Sequence, residues 1–406
     1  MRVLLVNSVC YGSTGSIAGG VGHILAGAGH EALLCYGRGN PPGETPGFRL
    51  ESGAEVAAHV LVARLADGMG YGSRSATKRL IAKIEAFRPD VIHLHNIHGY
   101  YLDIRLLFPY LKRAGIPLVW TLHDCWAFTG HCAYFDREGC ARWQTGCGAC
   151  PRDRGEYPAL WGPDRSRENY ETKRALFTGL PNLTLVSPSR WLCGLVKASF
   201  LSGYPVEVLP NGIDLALFRP TPSDIRDRHG LSGKWLILGV ANVWEPRKNL
   251  PAFYELRRLL PQTDAIVLIG LTERQISALP DGVLGLPRTA GPEELAAWYT
   301  AADVFCDPTL EENFPTTHLE ALACGTPVVT YDTGGSGEML DRYCGEVVPT
   351  GDIAALAAAM DRAATLHRED CVLRASRYGR ETRLAAYLDL YTELIHNHAN
   401  EGEVRL

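Results

Sequence analysis

The chain has 406 residues, 46% of them hydrophobic and 21% charged, with a formal net charge of −5. That length is too great for one ordinary core and implies two domains. The composition excludes a disordered chain, and the acidic balance excludes bulk nucleic-acid binding, which needs a basic face. There is no run of 18 apolar residues and no signal-peptide-like segment after Met1, so a cytoplasmic protein is expected. In that compartment most of the 12 cysteines are expected as reduced thiols or metal ligands.

Short apolar runs alternate with amphipathic stretches, the pattern of βαβ units and parallel sheets. A first strand over 3–6 runs into the glycine-rich turn Gly12-Ser13-Thr14-Gly15-Ser16 and then a helix. Further strands are predicted at 32–36, 91–95, 118–122 and 184–186, with helices over about 53–67, 74–87 and 104–114. After the loop 219–224 a second series follows, with strands at 236–240, 265–269, 304–306 and 327–330 and helices over about 249–260 and 292–301. The stretch 381–406 is helical in pattern. The expected fold class is therefore α/β, two doubly wound domains in tandem with ligand sites at the C-terminal ends of their strands. The boundaries are drawn at 1–218 and 219–381.

Several groups suit the chemistry of a phosphorylated ligand. Gly15 and Ser16 follow the first strand at a helix start, where glycine permits a backbone approach to phosphate. Arg247 and Lys248 follow a strand and precede a helix, and both are good phosphate partners. The string Glu312-Asn313-Phe314-Pro315-Thr316-Thr317-His318-Leu319-Glu320 opens another helix, with Pro315 suited to its first turn. Helix-start amides at 313–316 are a seat for phosphate, and carboxylates at Glu312 and Glu320 are suited to sugar hydroxyls.

The order carboxylate, seven residues, carboxylate, then Ala321-Leu322-Ala323-Cys324-Gly325-Thr326-Pro327 closely resembles the donor-site signature of the family 4 glycosyltransferases. The resemblance covers nearly the whole chain. It implies a GT-B fold, two Rossmann-like domains facing an interdomain cleft, with the first on the acceptor side, the second holding a nucleotide-sugar, and the tail 382–406 packing back on the first. It implies a retaining transfer of a sugar from a nucleoside-diphosphate donor to a glycan or lipid-linked hydroxyl in cell-surface polysaccharide biosynthesis, with no cofactor or divalent metal required. By the same resemblance Lys248 grips the diphosphate, Glu312 touches the donor sugar, Glu320 the ribose, and His123, at a strand end, lies close to the sugar. Asp332-Thr333-Gly334-Gly335-Ser336-Gly337-Glu338 resembles the family's glycine loop. Many members carry an arginine where Asn242 stands, and Arg247 is the expected substitute for that charge.

Other features fit less directly. His93, His95 and His98 are spaced like a metal triad but are expected to line the cleft. Cys132, Cys140, Cys147 and Cys150 end in a Cys-x-x-Cys knuckle, a set suited to a structural zinc or a metal-free thiol cluster, with disulfides third. That insert resembles the subgroup including colanic-acid-type polysaccharide glycosyltransferases. The basic stretch 74–84 is an ordinary surface helix, or else a contact with an anionic membrane. The competing functions are a non-catalytic sugar-nucleotide-binding subunit, an epimerase or a phosphorylase of the same fold. A nicotinamide dehydrogenase is disfavoured because the Gly-x-Gly-x-x-Gly turn is missing.

Overall fold

A computed structural model describes residues 1–41 and 45–404; residues 405–406 of the expected C-terminal tail lie outside the described residues. The chain divides into two compact units, 1–210 with 383–406, and 211–382. Among the described residues the first holds seven strands, β1 (Arg2–Val9), β2 (Glu31–Arg38), β3 (Gly47–Arg49), β4 (Val91–Leu94), β5 (Leu118–Thr121), β6 (Leu183–Ser187) and β7 (Val206–Val208), ordered β3-β2-β1-β4-β5-β6-β7. The second holds β8 (Leu236–Val240), β9 (Ala265–Ile269), β10 (Val283–Leu286), β11 (Val304–Asp307), β12 (Val328–Tyr331) and β13 (Gly345–Val348), ordered β10-β9-β8-β11-β12-β13. Every pairing is parallel.

Parallel strands are covered on both faces, which is why the central ones read as unbroken apolar runs. Alternate residues of one strand serve opposite cores. Leu4 and Val6 pack on one side of the first sheet, Val3 and Leu5 on the other. In the second unit Leu236 and Leu238 face one core and Ile237 the other. The strands absent from the sequence reading, β3, β7, β10 and β13, are three or four residues long and lie at or toward sheet edges.

The break expected at 218/219 falls at 210/211 instead. Ile213 and Phe218 are buried in the second unit's core, so the segment before the Pro-rich loop belongs to that unit. The helix Arg380–Val404 buries Leu384, Tyr387 and Tyr391 in the first unit's core. Among the described residues no helix is long and apolar enough to cross a membrane.

In each sheet the strand order reverses once, between β1 and β4 and between β8 and β11. Ligands of doubly wound sheets bind outside the carboxyl ends of strands at such a switch point. Those two places are therefore where the functional side chains are sought.

Candidate active site

At the second unit's switch point, β8 runs into a loop ending in the single turn Pro246–Lys248, and β11 runs into the loop 308–315. The two loops are stitched together. Leu310 N donates to Arg247 O at 2.7 Å, Thr309 Oγ1 to the same oxygen at 3.1 Å, and Asn249 Nδ2 to Pro308 O at 3.2 Å. This brings Lys248 Nζ to 2.7 Å from Glu312 Oε2 and 3.8 Å from Asp307 Oδ2. Arg247 Nη1 lies 3.3 Å from the same Glu312 oxygen and donates to Glu311 O at 3.1 Å, and its Nη2 meets Glu245 Oε1 at 3.1 Å.

Burial drives carboxyls up, but here Lys248 and Arg247 outweigh it and hold Glu312 down at about 2. Asp307 is likewise held below its ordinary value by Lys248 and by His318, whose Nε2 is 3.0 Å away. Burial pulls the Lys248 ammonium down, yet Asp307 and Glu312 more than offset this and raise it. The pair therefore stays ionised at neutral pH, a preformed charged patch at the strand ends.

The helix Thr316–Ala323 begins one residue later than expected, with Pro315 at its N-cap. Of the predicted phosphate seat, Asn313, Phe314 and Pro315 are buried, Asn313 N donates to Glu312 Oε1 at 3.0 Å, and proline has no N–H. The open amide end is thus at Thr316 and Thr317, not 313–315. Glu320, four residues into the helix, accepts from Tyr299 Oη at 3.1 Å, and burial pushes its carboxyl up to about 7. Glu312 and Glu320 are therefore opposites, one fixed as an anion and one poised near neutrality.

Gly334 explains the downstream glycine loop. Its φ is +56°, and a Cβ there would stand 1.7 Å from Glu312 O, so only glycine lets the loop pack behind the carboxylate. His318 ties the same loop to the helix through Nδ1 and Ser336 O at 3.2 Å.

Sequence reasoning missed Asp307, Tyr299 and Arg288. Arg288 is exposed after β10 and donates Nη2 to Asn242 Oδ1 at 2.6 Å. Its guanidinium thus lies beside Asn242, the position where many members of the resembled family carry an arginine. Arg247, the expected substitute, is engaged by Glu245 and Glu312.

In the first unit the helix Gly12–Gly27 starts before Gly15, leaving the amides of Gly12, Ser13, Thr14 and Gly15 at its open end, with Ser16 exposed just beyond. A Cβ on Gly15 would lie 2.5 Å from Cys10 C, so the glycine is required by strand–helix packing. At the ends of β4 and β5, His95, His98, His123 and Asp124 line a cavity of about 10 Å³. His95 Nδ1 lies 3.2 Å from His123 Nε2, and His98 Nε2 lies 3.0 Å from Asp124 Oδ2. Burial holds His123 down to about 4, so it is neutral. His93 does not line an open site as expected. It is fully buried, bonded to Tyr391 Oη at 2.6 Å and Thr121 Oγ1 at 2.8 Å, and is structural.

Sequence comparison matches residues 21–217 to the family described as Glycosyltransferase Family 4 and residues 235–365 to that described as Glycosyl transferases group 1. The chain belongs to this glycosyltransferase family. A glycosyl transferase of Escherichia coli K12 named for colanic acid biosynthesis, WcaC, is 26% identical over 309 residues, 74% of this chain and 73% of that one. Sucrose-phosphate synthase from Thermosynechococcus elongatus superposes with a TM-score of 0.74 at 18% identity, covering 98% of this chain and 100% of that one. Anabaena HepE in complex with UDP-glucose gives 0.67 at 16% identity, covering 97% and 100%. The protein is thus a GT-B glycosyltransferase. The four cysteines of the insert, with His131, line one further cavity of this enzyme.

Proposed function

We propose that this glycosyltransferase moves a hexosyl group, with retention, from a nucleoside-diphosphate sugar to a hydroxyl of a glycan or lipid-linked acceptor during cell-surface polysaccharide assembly. The observation that carries the reading is the Lys248–Glu312 pair at the switch point of the second sheet, beside the amide end of the Thr316 helix. Lys248, Arg288 and the amides of Thr316 and Thr317 receive the diphosphate, with Arg247 holding the Glu312 carboxylate in place. Glu312 accepts from hydroxyls of the sugar and Glu320 from the ribose. Within the first unit, Gly15 with the amides before it and Ser16 suit phosphate, and the neutral His123 suits a sugar hydroxyl.

In the transfer the sugar–phosphate bond breaks, and its electron pair leaves with the diphosphate. Fixed cations and amide dipoles stabilise that developing charge without a bound metal. The acceptor hydroxyl adds to the anomeric carbon on the face just vacated, and its proton passes to the departing phosphate oxygen. The names of the similar proteins, one of colanic acid biosynthesis and one bound to UDP-glucose, agree with this substrate class.

A cytoplasmic enzyme resting on the inner membrane face completes the reading. The helix Gly53–Ala66 exposes Leu61, Val62 and Leu65, and Trp161 is 61% exposed with Arg64 against its ring at 4.7 Å. The neighbouring basic helix Arg74–Phe87 exposes Arg74 and Lys78, complementary to anionic lipid.

A panel of UDP- and GDP-sugars screened by thermal shift, then by product NMR with lipid-linked acceptors, tests the proposal. Retained anomeric configuration and undiminished turnover in EDTA are expected. Inversion, or turnover lost on chelation and restored by Mg²⁺ or Mn²⁺ but not by Zn²⁺, overturns the mechanism; acceptor-independent release of a free, altered sugar favours an epimerase.

A further inference from the structure

The transfer chemistry leaves the cysteine-rich insert unexplained. Cys132, Cys140, Cys147 and Cys150 all line one cavity of about 20 Å³, room for a single water or ion. Phe135, Trp143 and Pro151 share the remaining wall with His131, Arg142 and Ser166.

Donors are aimed at the sulfurs. Gly130 N donates to Cys147 Sγ at 3.1 Å, and His131 Nε2 lies 3.2 Å from Cys150 Sγ. The other ring nitrogen, Nδ1, is 2.8 Å from Asp67 Oδ2. N–H groups directed at sulfur favour thiolate, and the Asp67 carboxylate behind His131 holds the ring facing Cys150.

A second, independent observation is Lys173. It is completely buried, with Nζ 3.5 Å above the Trp126 ring and donating to Trp126 O at 2.8 Å and Thr129 O at 3.1 Å. Thr129 in turn donates to Cys132 O at 2.6 Å. Among the described residues Lys173 pairs with no carboxylate, and burial without a counter-charge pulls its ammonium down to about 7. A metal held by four thiolates carries net negative charge and supplies the missing partner.

Asp67, His131 and Asp164 are the group of described residues at metal spacing, but Asp67 Oδ2 and both Asp164 oxygens already accept hydrogen bonds. Asp67 Oδ2 accepts from His131 and from Arg165 N at 3.0 Å, and Asp164 accepts from Ser166 N at 2.9 Å and Cys150 N at 2.8 Å. They orient His131 and Cys150. The four sulfurs are not among the groups at that spacing, so ligation by all four requires the loop to draw inward.

We propose that Cys132, Cys140, Cys147 and Cys150 bind one structural Zn²⁺, with His131 donating to the Cys150 thiolate and Lys173 balancing the centre's charge. Tetrahedral sulfur ligation selects zinc among the common divalent ions. The centre staples the insert and takes no part in transfer, so it stands or falls independently of the proposed reaction.

The test uses the full chain purified without chelator. Mass spectrometry of its metal content is expected to give one zinc per chain. Replacement by Co²⁺ is expected to give thiolate charge-transfer bands, and X-ray absorption a shell of four sulfurs. Cys147→Ser should lose the metal; should it fail to fold, the wild-type Co²⁺ spectrum decides. His131→Gln should keep one zinc per chain while weakening it roughly 10–100-fold in chelator competition. A reduced chain that takes up neither ion, a disulfide among the four cysteines, or a nitrogen in the first shell each overturns the assignment.

Discussion

Replacing Lys248 separates the structural and chemical roles of the central ion pair. Lys248→Ala strips Glu312 of a partner at 2.7 Å and Asp307 of one at 3.8 Å, leaving Glu312 with Arg247 at 3.3 Å and the Asn313 amide at 3.0 Å. Breaking a buried pair this way costs about 3–5 kcal/mol, because the charges left behind remain desolvated. At about 2–4 °C per kcal/mol for a domain of this size, melting should fall by roughly 6–20 °C. Loss of a charge-assisted contact should weaken nucleoside-diphosphate binding about 10–100-fold, and loss of a leaving-group stabiliser should lower kcat about 10²–10³-fold. Glu312→Gln should do the opposite to diphosphate binding, since it frees Lys248, while still impairing transfer through the sugar. Calorimetric titration with UDP or GDP, whichever the donor screen selects, reads both variants without the sugar. Equal weakening in the two variants, or normal binding and turnover in Lys248→Ala, would refute the claim that this lysine grips the diphosphate.

Three further outcomes are expected. Arg288→Ala, at an exposed position, should leave stability within about 0.5 kcal/mol of the parent but weaken diphosphate binding about tenfold in the same titration. Glu320 has a folded pKa raised to about 7 from an ordinary value of 4.5, so the unfolded chain releases its proton first. Its contribution to stability is therefore lost as pH rises from 4.5 through 7, by about 3 kcal/mol, and Glu320→Gln should flatten that slope in urea midpoints at pH 4.5 and 8. Gly334→Ala should destabilise by at least about 2 kcal/mol and displace the Glu312 backbone, abolishing measurable transfer; a normal melting temperature with full activity would contradict the packing described for that loop.

Much of the architecture was set by local sequence. The apolar runs at 236–240 and 265–269 are strands because a parallel sheet buries both faces, and that demand leaves a continuous hydrophobic signature. Helices such as Pro292–Ala301 and Arg74–Phe87 begin and end within a residue of their predicted bounds, since periodicity and caps are written within a few positions. The order of carboxylates and glycine around Glu312 marked the candidate site for the same reason. The edge strand Gly47–Arg49 carries no such run and stayed illegible.

What the tertiary structure decided is which charges meet. Lys248 and Glu312 are 64 residues apart, and only the strand order that sets β8 beside β11 brings them to 2.7 Å. Asp307 ends a strand and reads as its last residue until His318 and Lys248 close on it. His93, expected in an open site, is instead sealed by Tyr391, which lies 298 residues further along the chain. Periodicity is a property of neighbours in sequence, whereas electrostatic partnership depends on distances that exist only once the sheets are assembled.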